Sequence, residues 1–147
     1  MAATIVRAVP AAAPLTVGTA FLDNLERGLT AGDAGFMASL FHPGVTYILN
    51  GEPRPNCAAM ATAAAWSHVF ARCQWDVAAA SRVREVHPGH VLYHFKVVVR
   101  DVRTGDTREG HFGDTAVVDA ASGRCMLLHR SADATGFFPW YDGLLKP

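Results

Sequence analysis

The first half of the chain has apolar residues at helical spacing, interrupted by residues that cap or stop helices. A first helix is predicted to begin after Thr16 and to end at Gly32. Asp33 is the predicted cap of a second, short helix, which the run His42-Pro43-Gly44 stops. The segment 57–73 is rich in alanine and free of glycine and proline, so it predicts a third helix.

The second half changes to alternating apolar and polar positions, which indicates strands. Four long strands are predicted, in addition to a short one at Val45–Asn50: Gln74–Val86, Val91–Arg103, Thr107–Asp119 and Arg124–Asp133. The turns between the long strands are short, so consecutive strands should be antiparallel neighbours. Helices followed by a meander predict an α+β domain with a sheet covered by helices on one face.

The pairing register predicts which face of the sheet is covered. If Thr104-Gly105 is a two-residue turn, one face of its two strands is almost wholly apolar. That face carries Tyr93, Phe95, Val97, Val99, Gly110, Phe112, Asp114, Ala116 and Val118. We expect it to be the concave, helix-covered face, with Asp114 as its one carboxylate.

The next hairpin predicts a polar pair on this face. If Asp119 pairs with Arg124, Asp114 lies opposite His129, within hydrogen-bonding reach. An aspartate and a histidine in an apolar cavity can transfer a proton near neutral pH. A buried pair of this kind can equally be a satisfied polar contact that fixes the register. Tyr47, on the apolar face of the first strand, is the third catalytic candidate, and plain packing is its other interpretation.

Further residues are candidates for substrate binding. The same register places Ser131 opposite Phe112 and puts Leu127 on the concave face. Arg82 reaches the pocket rim if the turn at 87–90 is tight, and a bulge in its strand is the alternative. Four aromatic residues are candidates for the cavity wall, although core packing is their ordinary role: Trp66, Phe70, Tyr93 and Phe112.

Composition excludes several classes of function. The chain of 147 residues is half hydrophobic and carries 13 basic and 13 acidic residues, so neither nucleic acid nor an anionic membrane is an expected partner. Residues 1–15, rich in alanine and proline, are predicted to be a loose arm before one domain at 16–147. No apolar run is long enough to span a membrane.

Cysteine and histidine spacing predicts no metal site. The three cysteines fit neither a disulfide framework nor a ligand set, which favours a reduced, cytoplasmic protein. In the predicted register His94 and His111 are about 13 Å apart, too far to share an ion.

Two sequence runs, with the Gly32-Asp33 joint, resemble those of a known group. LFHPGVTY at Leu40–Tyr47 and SGRCMLLHRSAD at Ser122–Asp133 are similar to the SnoaL-like group of the nuclear-transport-factor-2-like (NTF2-like) superfamily. The resemblance implies a cone-shaped curved antiparallel sheet with about three helices over its concave face. It also implies a homodimer formed through the outer sheet face and a hydrophobic small molecule bound in the cone.

The group includes cofactor-free polyketide cyclases, ketosteroid isomerases, scytalone dehydratases and epoxide hydrolases. We therefore expect an enzyme without a cofactor that acts on a polyketide- or terpenoid-like secondary metabolite by acid–base chemistry. A non-catalytic ligand-binding or dimerisation module of the same fold is the alternative.

Overall fold

A computed structural model describes residues 16–133 and 136–147; the predicted arm, 1–15, lies outside the described residues. The α-helices are α1 (Val17–Ala31), α2 (Ala34–Ser39), α3 (Ala63–Arg72) and α4 (Phe137–Leu145). One 3₁₀ turn at Cys57–Ala61 precedes α3. The strands are β1 (Phe41–Leu49), β2 (Glu52–Pro53), β3 (Cys73–Val77), β4 (Ser81–His87), β5 (His90–Asp101), β6 (Thr107–Val118) and β7 (Cys125–Ala132). The domain is thus α+β, as predicted. No described helix is long and apolar enough to cross a membrane.

The caps of the first two helices confirm the sequence prediction. The Thr16 hydroxyl accepts a hydrogen bond from the Thr19 backbone N–H, and α1 ends at Gly32 with a left-handed φ of 65°. The Asp33 side chain accepts from the Phe36 N–H at the start of α2. The third predicted helix is split, because Thr62 is extended and its hydroxyl caps α3.

The sheet is mixed and curls without closing. Its strand order is β2-β1-β7-β6-β5-β3, and β4 pairs with the other part of β5. β1 runs parallel to β7, while the other pairs are antiparallel. The predicted strand 74–86 is divided into β3 and β4, whose register with β5 shifts between Ser81 and Arg84. Arg82 has a φ of 54° within this irregularity.

The β5–β6 hairpin has a longer turn than predicted. The Asp101 N–H donates to the Asp106 carbonyl at 2.8 Å, so four residues rather than two form the loop. Every pair is displaced by two positions, and Tyr93 lies opposite Asp114. A displacement of two keeps each residue on its face. The apolar concave face is therefore confirmed: Tyr93, Phe95, Phe112 and Asp114 are all buried.

The β6–β7 pairing contains a bulge that the sequence prediction lacks. Val118 pairs with Cys125 as predicted, but Val117 pairs with Leu127, which leaves Met126 as an extra residue. From there the register is displaced by one position, and a displacement of one exchanges the two faces. The predicted Asp114–His129 pair is wrong, because Asp114 lies opposite Arg130.

The core lies between the concave face and α1, α3 and α4. α1 contributes the predicted apolar stripe, which includes Phe21 and Leu25. Phe41 joins the layers: its ring meets Phe21 edge-on and stacks on Trp66, with centroids 6.0 Å apart in each case. In α4, Phe137 packs on Phe112 with ring centroids 5.4 Å apart, so the aromatic tail closes one side of the domain.

Candidate functional site

A cavity of about 320 Å³ lies between the concave face and the helices. Its walls are mostly apolar and come from the sheet, α1, α3, α4 and the segment 54–60. The lining includes Leu29, Phe41, Trp66, Trp75, Phe95, Val97, Phe112, Leu128, Phe138, Tyr141 and Leu145. The polar or charged side chains on these walls include Tyr47, Arg54, Arg130 and Asp142.

An ion pair joins the cavity wall to the sheet behind it. Arg130 Nε donates to Asp114 Oδ1 at 2.9 Å, and Arg130 Nη2 donates to Asp114 Oδ2 at 2.7 Å. The Asp114 side chain is 0% exposed and that of Arg130 is 12% exposed. The guanidinium also lies over the Phe112 ring, 4.3 Å from its centroid. The bidentate contact and the ring hold the guanidinium in one orientation.

Arg130 stays charged in this setting. Burial by itself would lower its pKa, but the Asp114 carboxylate outweighs burial and the pKa is raised. A guanidinium has five N–H donors, and Asp114 takes two of them. Because Arg130 lines the cavity, its remaining donors are available to an oxygen atom of a bound molecule.

Tyr47 lies next to this cation. Burial raises the pKa of its hydroxyl, and the nearby Arg130 opposes that increase only in part. Tyr47 is therefore a neutral hydrogen-bond donor at physiological pH. Its backbone N–H donates to Cys57 Sγ at 3.2 Å, which ties β1 to the 3₁₀ turn at the cavity wall.

Tyr93 lies on the far side of the ion pair, in the core. It is 2% exposed, and its hydroxyl has no hydrogen-bond partner among the described residues. Burial and then the Asp114 carboxylate raise its pKa well above the usual value. Tyr93 packs edge-on against Phe95, with ring centroids 4.9 Å apart, and is not part of the cavity wall.

The cavity mouth is bridged by a second ion pair. Arg54 Nη2 lies 3.5 Å from Asp142 Oδ1, and the two side chains are 41% and 40% exposed. Asp142 belongs to α4, whose last turn is held by His68: its Nε2 lies 2.7 Å from the Leu145 carbonyl oxygen. The segment 54–60 and α4 thus form the two sides of the opening.

The structure brings together only some of the predicted site residues. Tyr47, Trp66 and Phe112 line the cavity. Phe70 stacks on the Trp66 ring, with centroids 5.8 Å apart, and does not line the cavity. Besides Phe70, Tyr93 and Asp114, four further candidates do not line it: Arg82, Leu127, His129 and Ser131. The bulge at Met126 turns Leu127, His129 and Ser131 to the outer face, and the irregular β4 leaves Arg82 exposed. The proton-transfer role predicted for His129 loses the contact on which it depended.

The residues that replace them left weak signals in the sequence. Arg130 follows His129 directly, and nothing in the sequence of β7 marks the bulge that selects it. Asp142 had a clearer signal: Phe138, Tyr141, Asp142 and Leu145 have the spacing of one helix face. Among the described residues no group of three or more histidine, cysteine, aspartate or glutamate side chains is placed to hold a metal ion.

Comparison with solved structures identifies the fold. An LEH-like epoxide hydrolase from M. tuberculosis superposes with a TM-score of 0.69 at 16% identity, over 90% of this chain and 95% of that one. A polyketide cyclase described as putative, from Pseudomonas putida, gives 0.65 at 14% identity, over 88% and 98%. This is the NTF2-like fold.

The NTF2-like fold is also found in designed proteins that resemble this chain. A computationally designed 17-OHP binder gives a TM-score of 0.69 at 15% identity, over 82% of this chain and 95% of that one. No protein-family model and no curated protein sequence matches the chain. At such identities the likeness establishes the fold, and function has to be argued from the site.

Proposed function

We propose that this NTF2-like chain is a cofactor-independent enzyme that acts on a hydrophobic small molecule in the cavity. The proposed reaction is an isomerisation, cyclisation or dehydration of a polyketide- or terpenoid-like metabolite. The observation that carries the proposal is the Arg130 guanidinium, which is fixed by Asp114 and has donors left over in an apolar cavity.

A buried ion pair is a costly way to fill an apolar wall. Taking a guanidinium and a carboxylate out of water costs several kcal/mol, and apolar side chains of similar volume often stabilise a protein better. The presence of an ion pair at this position therefore favours a role in binding a ligand. Its fixed donors are suited to an oxygen that becomes more negative during a reaction.

Arg130 and Tyr47 together define the part of the ligand that they would hold. Both are donors under physiological conditions, so the matching group is an acceptor such as a ketone oxygen. The remaining wall is mostly apolar, which suits a carbon skeleton. Polarising a carbonyl acidifies its neighbouring carbon, and formation of the enolate is a step shared by double-bond isomerisation, aldol-type ring closure and loss of a β-hydroxyl group.

A ligand-binding protein without catalysis is the second candidate. This function is favoured by the absence of any histidine from the described cavity wall. It is also favoured by the burial of Asp114, whose carboxylate is paired with Arg130 and does not face the cavity. The designed 17-OHP binder has the same fold. In this case Arg130 and Tyr47 would provide affinity and orientation only.

The binding part of the proposal can be tested with two probes that share one skeleton. 2-Decalone carries a ketone, whereas decalin has the same two rings and no oxygen. Trp66 and Trp75 line the cavity, so their fluorescence reports binding of either probe. We expect decalone to bind at least about tenfold more tightly, since a hydrogen bond from a charged group contributes about 1.5–3 kcal/mol.

Two variants locate that preference. Tyr47→Phe should reduce the decalone-to-decalin preference about fivefold, and Arg130→Lys should reduce it further because lysine lacks the planar fork. Trp66→Phe serves as the matched cavity-wall control, which should weaken both probes alike. Equal binding of the two probes by the unaltered protein contradicts the proposal.

Assembly and location are proposed on separate grounds. The outer face of β5–β7 is the proposed homodimer interface, and it includes Leu92, which is 40% exposed. Sedimentation of the unaltered chain against Leu92→Glu tests this, since a charge there should dissociate the dimer. The three cysteines are all free, which supports a reduced, cytoplasmic environment. Nucleic acid and membrane are not proposed as partners.

A further inference from the structure

The cavity wall contains one carboxylate among the described residues, and it is not the one expected from the sequence. Asp114 has a side chain that is 0% exposed, and both of its oxygens accept from Arg130. Asp142 lines the cavity itself, and its side chain is 40% exposed. No histidine lines the described wall, so Asp142 is the side chain there with the chemistry of a general base.

The placement of Asp142 follows from the helix that carries it. Phe138 and Leu145 lie four and three positions from Asp142 along α4, Tyr141 directly precedes it, and all of them line the cavity. The apolar members anchor this face: Phe138 is buried, and its ring packs on Phe112 with centroids 5.5 Å apart. Asp142 is thus held on the cavity side of α4 by the packing of its neighbours.

The surroundings of Asp142 leave it free to react. Its ion pair with Arg54, from Nη2 to Oδ1 at 3.5 Å, is a single and partly exposed interaction. Such a contact contributes little to stability and leaves carboxylate lone pairs unoccupied. At the mouth the carboxylate faces the cavity on one side and water on the other, so a proton taken from a ligand can exchange with solvent.

We propose that Asp142 is the catalytic base for a ligand whose ketone oxygen is bound by Arg130 and Tyr47. This inference rests on the proposed function and names the group that completes it. An Asp142 oxygen takes a proton from the carbon next to the carbonyl. The electron pair of that C–H bond becomes the C=C bond of an enolate, and the carbonyl π pair moves to the oxygen that Arg130 and Tyr47 stabilise.

The proton then returns from Asp142 to a carbon atom of the enolate. Return to the same carbon regenerates the ketone, and return to a more distant carbon of an unsaturated ketone moves its double bond. No oxidant, reductant or co-reactant is consumed. In D₂O the Asp142 proton is replaced by deuterium, so each cycle labels the ketone.

Deuterium exchange into 2-decalone, followed by NMR at neutral pD, tests the inference. We expect the unaltered chain to catalyse exchange at the carbons next to the carbonyl. Asp142→Asn, which keeps the size of the side chain, should slow exchange about 100-fold or more. The same variant should keep its decalone affinity within about threefold. Asp142→Glu should recover part of the rate.

Asp76→Asn is the matched control, because Asp76 is an exposed carboxylate of β3 that does not line the cavity. Its exchange rate should equal that of the unaltered chain. Undiminished exchange in Asp142→Asn, or no exchange above buffer by a chain that binds decalone, overturns the role of Asp142. If the unaltered chain shows no preference for decalone over decalin, the proposed oxygen-binding role of Arg130 and Tyr47 is wrong instead. Failure of the proposed function can therefore be distinguished from failure of the role of Asp142.

Discussion

Replacing Arg130 by methionine tests the reasoning about the buried ion pair. The change leaves the Asp114 carboxylate, 0% exposed, without the two donors at 2.7 and 2.9 Å that compensate it. Removing one partner of a buried pair costs about 3–5 kcal/mol, because an uncompensated charge remains in the interior. For a domain of about 150 residues this corresponds to a decrease in Tm of about 10 °C or more. Urea unfolding followed by tryptophan fluorescence measures the free energy of unfolding directly.

The control is the double variant Asp114→Leu with Arg130→Met. It removes both charges and fills the space with apolar atoms, so we expect it to be more stable than Arg130→Met alone. That sign is informative, since two independent destabilising changes would add. A loss below about 1 kcal/mol in Arg130→Met, or a double variant less stable than the single one, would refute the description of this pair as buried and mutually dependent.

Three further predictions concern other parts of the molecule. Burial raises the pKa of all three tyrosines above the usual value of 10: Tyr47, Tyr93 and Tyr141. The folded state thus favours the protonated form of each tyrosine. The free energy of unfolding should therefore be highest below pH 10 and should decrease as the pH rises above 10. Equal urea midpoints at pH 9 and 11 would contradict this. Gly89→Ala should lower the free energy of unfolding by at least about 2 kcal/mol, because φ is +85° and the new Cβ would lie 2.2 Å from the Val118 carbonyl oxygen. Gly51→Ala, with a φ of +84° and no atom near the new Cβ, should lower it less in the same urea assay. Burial raises the pKa of two thiols, Cys73 to about 11 and Cys125 to about 12. Cys57 should therefore be the one thiol of the native chain that reacts rapidly with a disulfide reagent, and decalone should slow that reaction because Cys57 lines the cavity.

The faces of the sheet were predictable as long as the register error was even. The β5–β6 turn is two residues longer than the sequence suggested, yet Tyr93 and Phe112 remain inside, because side chains alternate with a period of two. The helix caps were predictable for a related reason. Thr16 and Asp33 act through hydrogen bonds within four residues of themselves, so local sequence determines them.

The candidate site depended on features that are not local. Met126 is an extra residue in the pairing of β7 with β6, and β7 is also paired with β1, a strand distant in sequence. No residue type in β7 signals that extra position. Asp142 reaches the cavity only because α4 folds back over the sheet, which depends on ring packing between Phe137, Phe138 and Phe112.

The partner of Asp114 is Arg130 and not the predicted His129, and this difference changes the chemistry that the site can perform. A histidine beside Asp114 would have accepted and returned protons, whereas a guanidinium paired with that carboxylate stays charged and can only donate hydrogen bonds. The ion pair is therefore suited to stabilising negative charge on a ligand oxygen, and the proton must be taken by another group. The described wall has one carboxylate for that task, Asp142 on α4. Separating the oxygen-binding group from the base assigns two independently removable roles to Arg130 and Asp142: the first should control the preference for a ketone, and the second the rate of exchange.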